Sequence, residues 1–231
     1  MPSNEEIWYA VRLTKTVLAP ERKIETFGAS VIDYYLVSEL LDSVENVRIR
    51  EGRIYAERPR VITPTFFANQ LLENFGDDAA RYVELLQQSG EGLRILQYGL
   101  SFRKQESSEE IVTGKMKDVA ERIRDDVEGK EDCFAGVIIG VDDLWEVSLL
   151  KFATEMVQES AGTNFRELSE RGLLESSSNN VPNAVRVEIE SDFRQAAGDR
   201  NRIHALGNKL RKYNLLQEYQ DRFFGLVKEL E

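Results

Sequence analysis

A chain of 231 residues, 42 % hydrophobic and 31 % charged, has the make-up of a folded globular protein, long enough to bury about 70 % of its unfolded surface in one large domain or two small ones. Its 30 Lys and Arg against 41 Asp and Glu leave a net charge of −11, a field that opposes polyanions, so a protein partner is expected and nucleic acid is not. One cysteine, Cys133, and one histidine, His204, exclude an internal disulfide and the familiar zinc sites, leaving only carboxylate-based metal sites open.

The first residues, Met1 to Glu6, are polar and acidic and do not read as a secretory signal. The longest apolar run, 134–141, is far shorter than a bilayer span, so a cytoplasmic protein with no membrane association is expected. Residues 7–19 (IWYAVRLTKTVLA) alternate loosely, carry β-formers and are ended by Pro20, which predicts a strand. Residues 30–41 (SVIDYYLVSELL) favour a strand with an end able to turn helical.

The strongest β signal lies at 46–58. With Glu51-Gly52 at the tip of a two-residue hairpin, Ile49 faces Ile54 and Val47 faces Ala56. The other face then carries Arg48, Arg50, Arg53, Tyr55 and Glu57. Pro59 closes the second strand.

Thr63 as cap, Pro64 at the first position and Gly76 beyond the end delimit a helix with the stripe Phe67, Leu71, Phe75. A second helix runs from Asp77 to Gly90. Residues 93–104 return to alternation, and a short strand at 110–113 can complete the sheet by a non-local pairing. From Lys115 onward helices are expected. The first carries Met116, Val119, Ile123 and Val127 and is ended by Gly129. Residues 133–140 suit a buried strand or a helix, and the strong helical pattern that follows favours helix. Helices are predicted at 143–158 and 164–174, then a loop at 175–180 (ESSSNN), then helices at 183–197, 200–213 and 215–230.

The expected fold class is therefore α+β. Residues 1–113 form an antiparallel sheet with an inserted helical pair, and 114–231 form a mainly helical half, separate or continuous with it.

The most distinctive candidate site is the hairpin face of Arg48, Arg50, Arg53 and Tyr55, followed by Arg58 and Arg60. Such a face can clamp phosphates while Tyr55 stacks on a base; the favoured, ordinary reading is a solvated sheet face paired with Glu45, Glu51 and Glu57. Asp142, Asp143 and Glu146 are the candidate metal ligands. They also match a capping box, with Asp143 as N-cap and Glu146 three residues on, and that structural reading is favoured. A second basic patch gathers around His204 with Arg200, Arg202, Lys209, Arg211 and Lys212, where an acidic partner or a phosphate can dock; the favoured reading is a surface or boundary histidine beside the Ile203/Leu206 stripe. Cys133 reads as a small buried residue. Asp33 with Glu51 or Glu57 is the only loose carboxylate set for a nuclease. Gly90-Glu91-Gly92 lacks a third glycine and precedes a strand, so no dinucleotide signature and no cofactor are expected.

The segments ETFGASVIDYYLVSEL (25–40), VRIREGRIYAERPRVITP (47–64) and VDDLWEVSLLKF (141–152) resemble a set of bacterial proteins of unknown function. The resemblance implies a bacterial origin and a shared fold, and it transfers no activity. A non-enzymatic interaction or regulatory protein is therefore the first expectation. A carboxylate-based metal-dependent hydrolase or nuclease is the alternative, and nucleic-acid binding through the arginine face comes third.

Overall fold

Ser3 starts the first helix. Its hydroxyl accepts from the Glu6 N–H while the Glu6 carboxylate accepts from the Ser3 N–H, a complete capping box. The helix, α1, runs Asn4–Leu13 and buries Ile7 and Ala10. The strand expected at 7–19 is thus confined to Lys15–Leu18 (β1). The period-two pattern there was a shadow of a helical one, and the S-x-x-E signal in front of it is what discriminates.

The computed structural model describes residues 2–40, 45–56, 60–61, 72–73, 75–89, 98–99, 102–130, 134–173, 175, 181 and 183–228. The remaining strands are β2 (Ser30–Glu39), β3 (Asn46–Ala56), β4 (Arg60–Val61), β5 (Leu72–Glu73), β6 (Tyr98–Gly99), β7 (Phe102–Thr113) and β8 (Ala135–Val141). The remaining helices are α2 (Asp77–Ser89), α3 (Met116–Glu128), α4 (Trp145–Glu170), α5 (Asn183–Gln195), α6 (Arg200–Lys212) and α7 (Gln220–Lys228). The fold is α+β. Among the described residues no helix is long and apolar enough to cross a membrane.

Six strands form one sheet in the order β1-β8-β2-β3-β7-β5, while β4 and β6 pair separately. The sheet is mixed, not purely antiparallel, because β8 lies parallel to β2. The apolar run after residue 133 is this strand and not a helix. Gly136 and Gly140 explain why. A Cβ on either would stand 2.3 Å from the Phe152 ring or 2.6 Å from the Ser148 hydroxyl, so both glycines let α4 lie close on the strand.

The expected hairpin at Glu51-Gly52 is likewise absent. Residues 46–56 are one unbroken strand that pairs along its whole length with β2 on one side and β7 on the other. Gly52 marks a close approach instead of a turn: a Cβ there would meet the Gln105 carbonyl oxygen at 2.3 Å and the Tyr34 hydroxyl at 2.7 Å. The strand expected at 110–113 is the end of β7, and its pairing with β3 is the non-local one anticipated. Most of the helix expected at 63–76 lies outside the described residues, but Leu72 and Glu73 near its end pair in parallel with Phe102 and Arg103. The helices expected at 143–158 and 164–174 are one continuous α4. The loop at 175–180 lies outside the described residues except Glu175.

The chain divides into two compact units, 1–165 and 166–231, so the sheet-bearing unit extends well past residue 113. Helix α3 covers one sheet face, burying Val119, Ala120 and Val127 against Val37, Val47, Ile49, Ala135 and Val137. Helices α1, α2 and α4 supply the other core, around Ile32, Tyr34, Leu36, Ile54, Ile138, Leu149 and Phe152. In the second unit Val185, Ile189, Phe193, Ile203, Leu206, Leu210, Leu215 and Phe223 are buried, much as their helical stripes predict.

Candidate functional site

Because β3 is a single strand, its side chains alternate across the sheet. Arg48 and Arg50 point to the α4 side. Arg53 and Tyr55 point to the α3 side, so the four candidates do not form one face. Arg53 pairs with Asp33 at 2.9 Å directly across the β2–β3 ladder, and Tyr55 donates to Gln105 while Arg103 lies over its ring. Arg53 thus pairs with Asp33, a carboxylate that the ordinary reading did not name. Arg58 and Cys133 lie outside the described residues.

Arg48 and Arg50 converge with the acidic candidates. Asp142 follows β8 directly, at the carboxyl end of the parallel pair β8–β2. Its Oδ2 accepts from Arg48 at 2.7 Å, and its Oδ1 accepts from Arg50 at 2.7 Å and from the Ser38 hydroxyl at 2.8 Å. Glu109 of β7 approaches both guanidinium groups, at 3.1 and 3.3 Å. Although Glu109 lies 3.1 Å from Arg48 Nε, that buried nitrogen has no hydrogen bond among the described residues.

Glu146 does not complete a capping box. It accepts from the Gly76 N–H at 2.7 Å and pairs with Lys104, which also donates to Glu106. The indole of Trp145 lies between the two arms of this cluster, with Lys104 4.1 Å and Arg50 5.0 Å from its ring centre. Asp143, the third metal candidate, is exposed. Among the described residues no group of three or more His, Cys, Asp or Glu side chains is arranged to hold a metal ion. Arg50 and Lys104 are buried, and each cation here has a carboxylate beside it.

A bulge makes the cluster possible. Ser107 is the extra residue in β7: Glu51 pairs with Ser108, but Gly52 pairs with Glu106. Without it, alternation would place Lys104 and Glu106 on one face and Glu109 on the other. Lys104, Glu106, Glu109, Ser38 and Trp145 are among the participants that sequence reading missed. The alternating pattern around Lys104 was visible, but nothing in it announces the bulge.

Tyr34 completes the site. Its side chain is fully buried, and its hydroxyl has no hydrogen-bond partner among the described residues. Burial pushes this phenol well above its ordinary range; the nearby Glu106 and Glu146 add to the shift and Arg50 opposes it. It is therefore a neutral phenol throughout the physiological range.

Searches against protein-family models, curated proteins and solved structures find no match for this chain.

Proposed function

We propose that this is a non-enzymatic interaction or regulatory protein, acting in the cytoplasm through protein partners. One observation carries the reading. Both oxygens of Asp142 are held by buried or half-buried cations and by Ser38, and Glu146 is likewise held by Lys104 and a backbone N–H. A general base or a metal ligand needs lone pairs free to meet a proton or an ion. Here Asp142 ties the β8–α4 connection to β2 and β3, and Glu146 ties α4 to β7, which is structural work. The single cysteine suits a reducing compartment, and the resemblance of the 25–40, 47–64 and 141–152 segments supports a bacterial source.

Two thermal measurements on the full chain test this. Glu146→Gln is expected to lower the melting temperature, because it weakens the hold on buried Lys104. Millimolar Mg²⁺ or Mn²⁺ is expected to leave the melting temperature unchanged. A metal-induced rise, together with a Glu146→Gln variant as stable as the parent or more so, would mark a functional carboxylate and overturn the reading in favour of a metal-dependent hydrolase.

A further inference from the structure

The charge of −11 is not spread evenly. Residues 1–165 carry 19 Lys and Arg against 30 Asp and Glu, whereas residues 166–231 carry 11 of each. The net negative charge thus belongs to the first unit, and the second is neutral overall. Within the second unit, α6 (RNRIHALGNKLRK) holds five Lys and Arg and no carboxylate.

Helix α6 follows α5 after the four-residue turn Ala196–Asp199. Ala196 is fully buried, Gly198 takes a left-handed φ of +77°, and the Asp199 carboxylate caps the N–H groups of Asn201 and Arg202. Ile203, Leu206 and Leu210 face inward, and Lys209 is held by Glu188 and Asp192. The exposed positions are Arg200, Asn201, Arg202, His204, Ala205, Asn208 and Arg211. Arg202 is engaged by Asp199, whereas Arg200 and Arg211 take part in no ion pair among the described residues.

At 100° per residue, Arg200, His204, Asn208 and Arg211 fall on one stripe, with the two arginines about 16 Å apart along the axis. A major groove about 12 Å wide admits an α-helix, and a stripe laid into it would bring the arginines at its two ends toward the flanking phosphates. The arginines sit at the ends of the stripe, and His204 and Asn208 sit between them, joined by a 3.4 Å contact and carrying groups able to meet base edges.

We propose that the exposed face of α6 binds duplex DNA in the major groove, with Arg200 and Arg211 on the phosphates. A protein partner fits this face less well, because its exposed positions include nothing apolar larger than Ala205, and protein interfaces are anchored by buried aromatic or aliphatic side chains. Duplex RNA fits less well because its major groove is too deep and narrow for side chains to read. The proposal goes beyond the preceding reading and does not depend on it, since it concerns only the second unit.

The test is fluorescence anisotropy of the full chain with a labelled mixed-sequence DNA duplex over a salt series, alongside a duplex RNA of the same sequence and labelled poly-glutamate. Binding to the DNA duplex that weakens with salt is expected. In the Arg200→Gln/Arg211→Gln double variant the log–log salt slope should fall by about two, one for each lost phosphate contact. Both arginines are exposed, so this variant should keep the parent's circular dichroism. If it does not, the single variants Arg200→Gln and Arg211→Gln should each lower the slope by about one. No DNA binding at low salt, an unchanged slope in the folded variants, equal binding of duplex RNA, or tighter binding of poly-glutamate than of DNA would each overturn the proposal.

Discussion

Asp142→Ala removes the anion shared by Arg48 and Arg50. Asp142 and Arg50 side chains are only 9 % and 8 % exposed, and Arg48 is 24 % exposed. Breaking a buried pair by deleting one member costs about 3–5 kcal/mol, because the remaining charge has lost its compensation. Glu109 stays beside both guanidinium groups but is half exposed, so it offsets part of the loss and places the cost near 3 kcal/mol. For a unit of this size that is a fall of about 6–12 °C in melting temperature. Asp142→Asn keeps the shape and one acceptor, and should fall about midway. Replacing the buried charges and their hydroxyl partner together by Arg48→Met, Arg50→Met, Asp142→Leu and Ser38→Ala should return stability to within about 1 kcal/mol of the parent, since apolar substitutes need no pairing and half-exposed Glu109 is left to solvent. Urea and thermal unfolding followed by near-ultraviolet dichroism would measure this, with a Trp8→Phe background leaving Trp145, which Arg50 overlies, as the reporter. An Asp142→Ala variant that melts at or above the parent would refute the structural account of the cluster.

Tyr34→Phe deletes a buried hydroxyl that has no partner among the described residues, so stability should hold or rise by up to about 1 kcal/mol; a loss of more than that in denaturant melts would reveal a bond to the hydroxyl. Gly52→Ala should cost about 2–3 kcal/mol, because the new methyl meets a backbone carbonyl that cannot rotate away, and adding Tyr34→Phe should recover only the smaller part attributable to the hydroxyl. In the second unit, hydrogen bonds from Arg222 and Arg186 hold the Glu190 and Glu218 carboxyls below their ordinary range. Groups with depressed folded values stabilise above the ordinary carboxylate range, and that contribution is lost as pH falls through the depressed values. The melting-temperature gap between the parent and Arg186→Gln/Arg222→Gln should therefore be widest near neutrality and close on acidification below about pH 4; a gap independent of pH would contradict the pairing.

Local signals carried much of this protein. The stripes Val119/Ile123/Val127, Val185/Ile189/Phe193 and Ile203/Leu206/Leu210 marked helices that lie within a few residues of their expected ends, because a helix that buries one face must repeat its apolar residues every three or four positions. The α+β class followed from those stripes together with the β-rich 30–56 region. Tertiary contact decided the rest. Residues 135–141 are a strand because β2 accepts them in parallel and α4 lies close over their glycines, neither of which periodicity records. Gly52 looks like a turn in isolation and is a tight crossing in the fold. Arg48, Arg50 and Asp142 were each noticed in the chain, but as members of two separate candidates. A pairing across 92 residues depends on strand order, and the presence of Glu109 on the same face depends on one extra residue in β7. Residue type and spacing set which side chains can carry charge and where a helix can form. Which of those charges end up buried against each other is set by the packing of distant segments, because the energy that joins them exists only once the chain has closed.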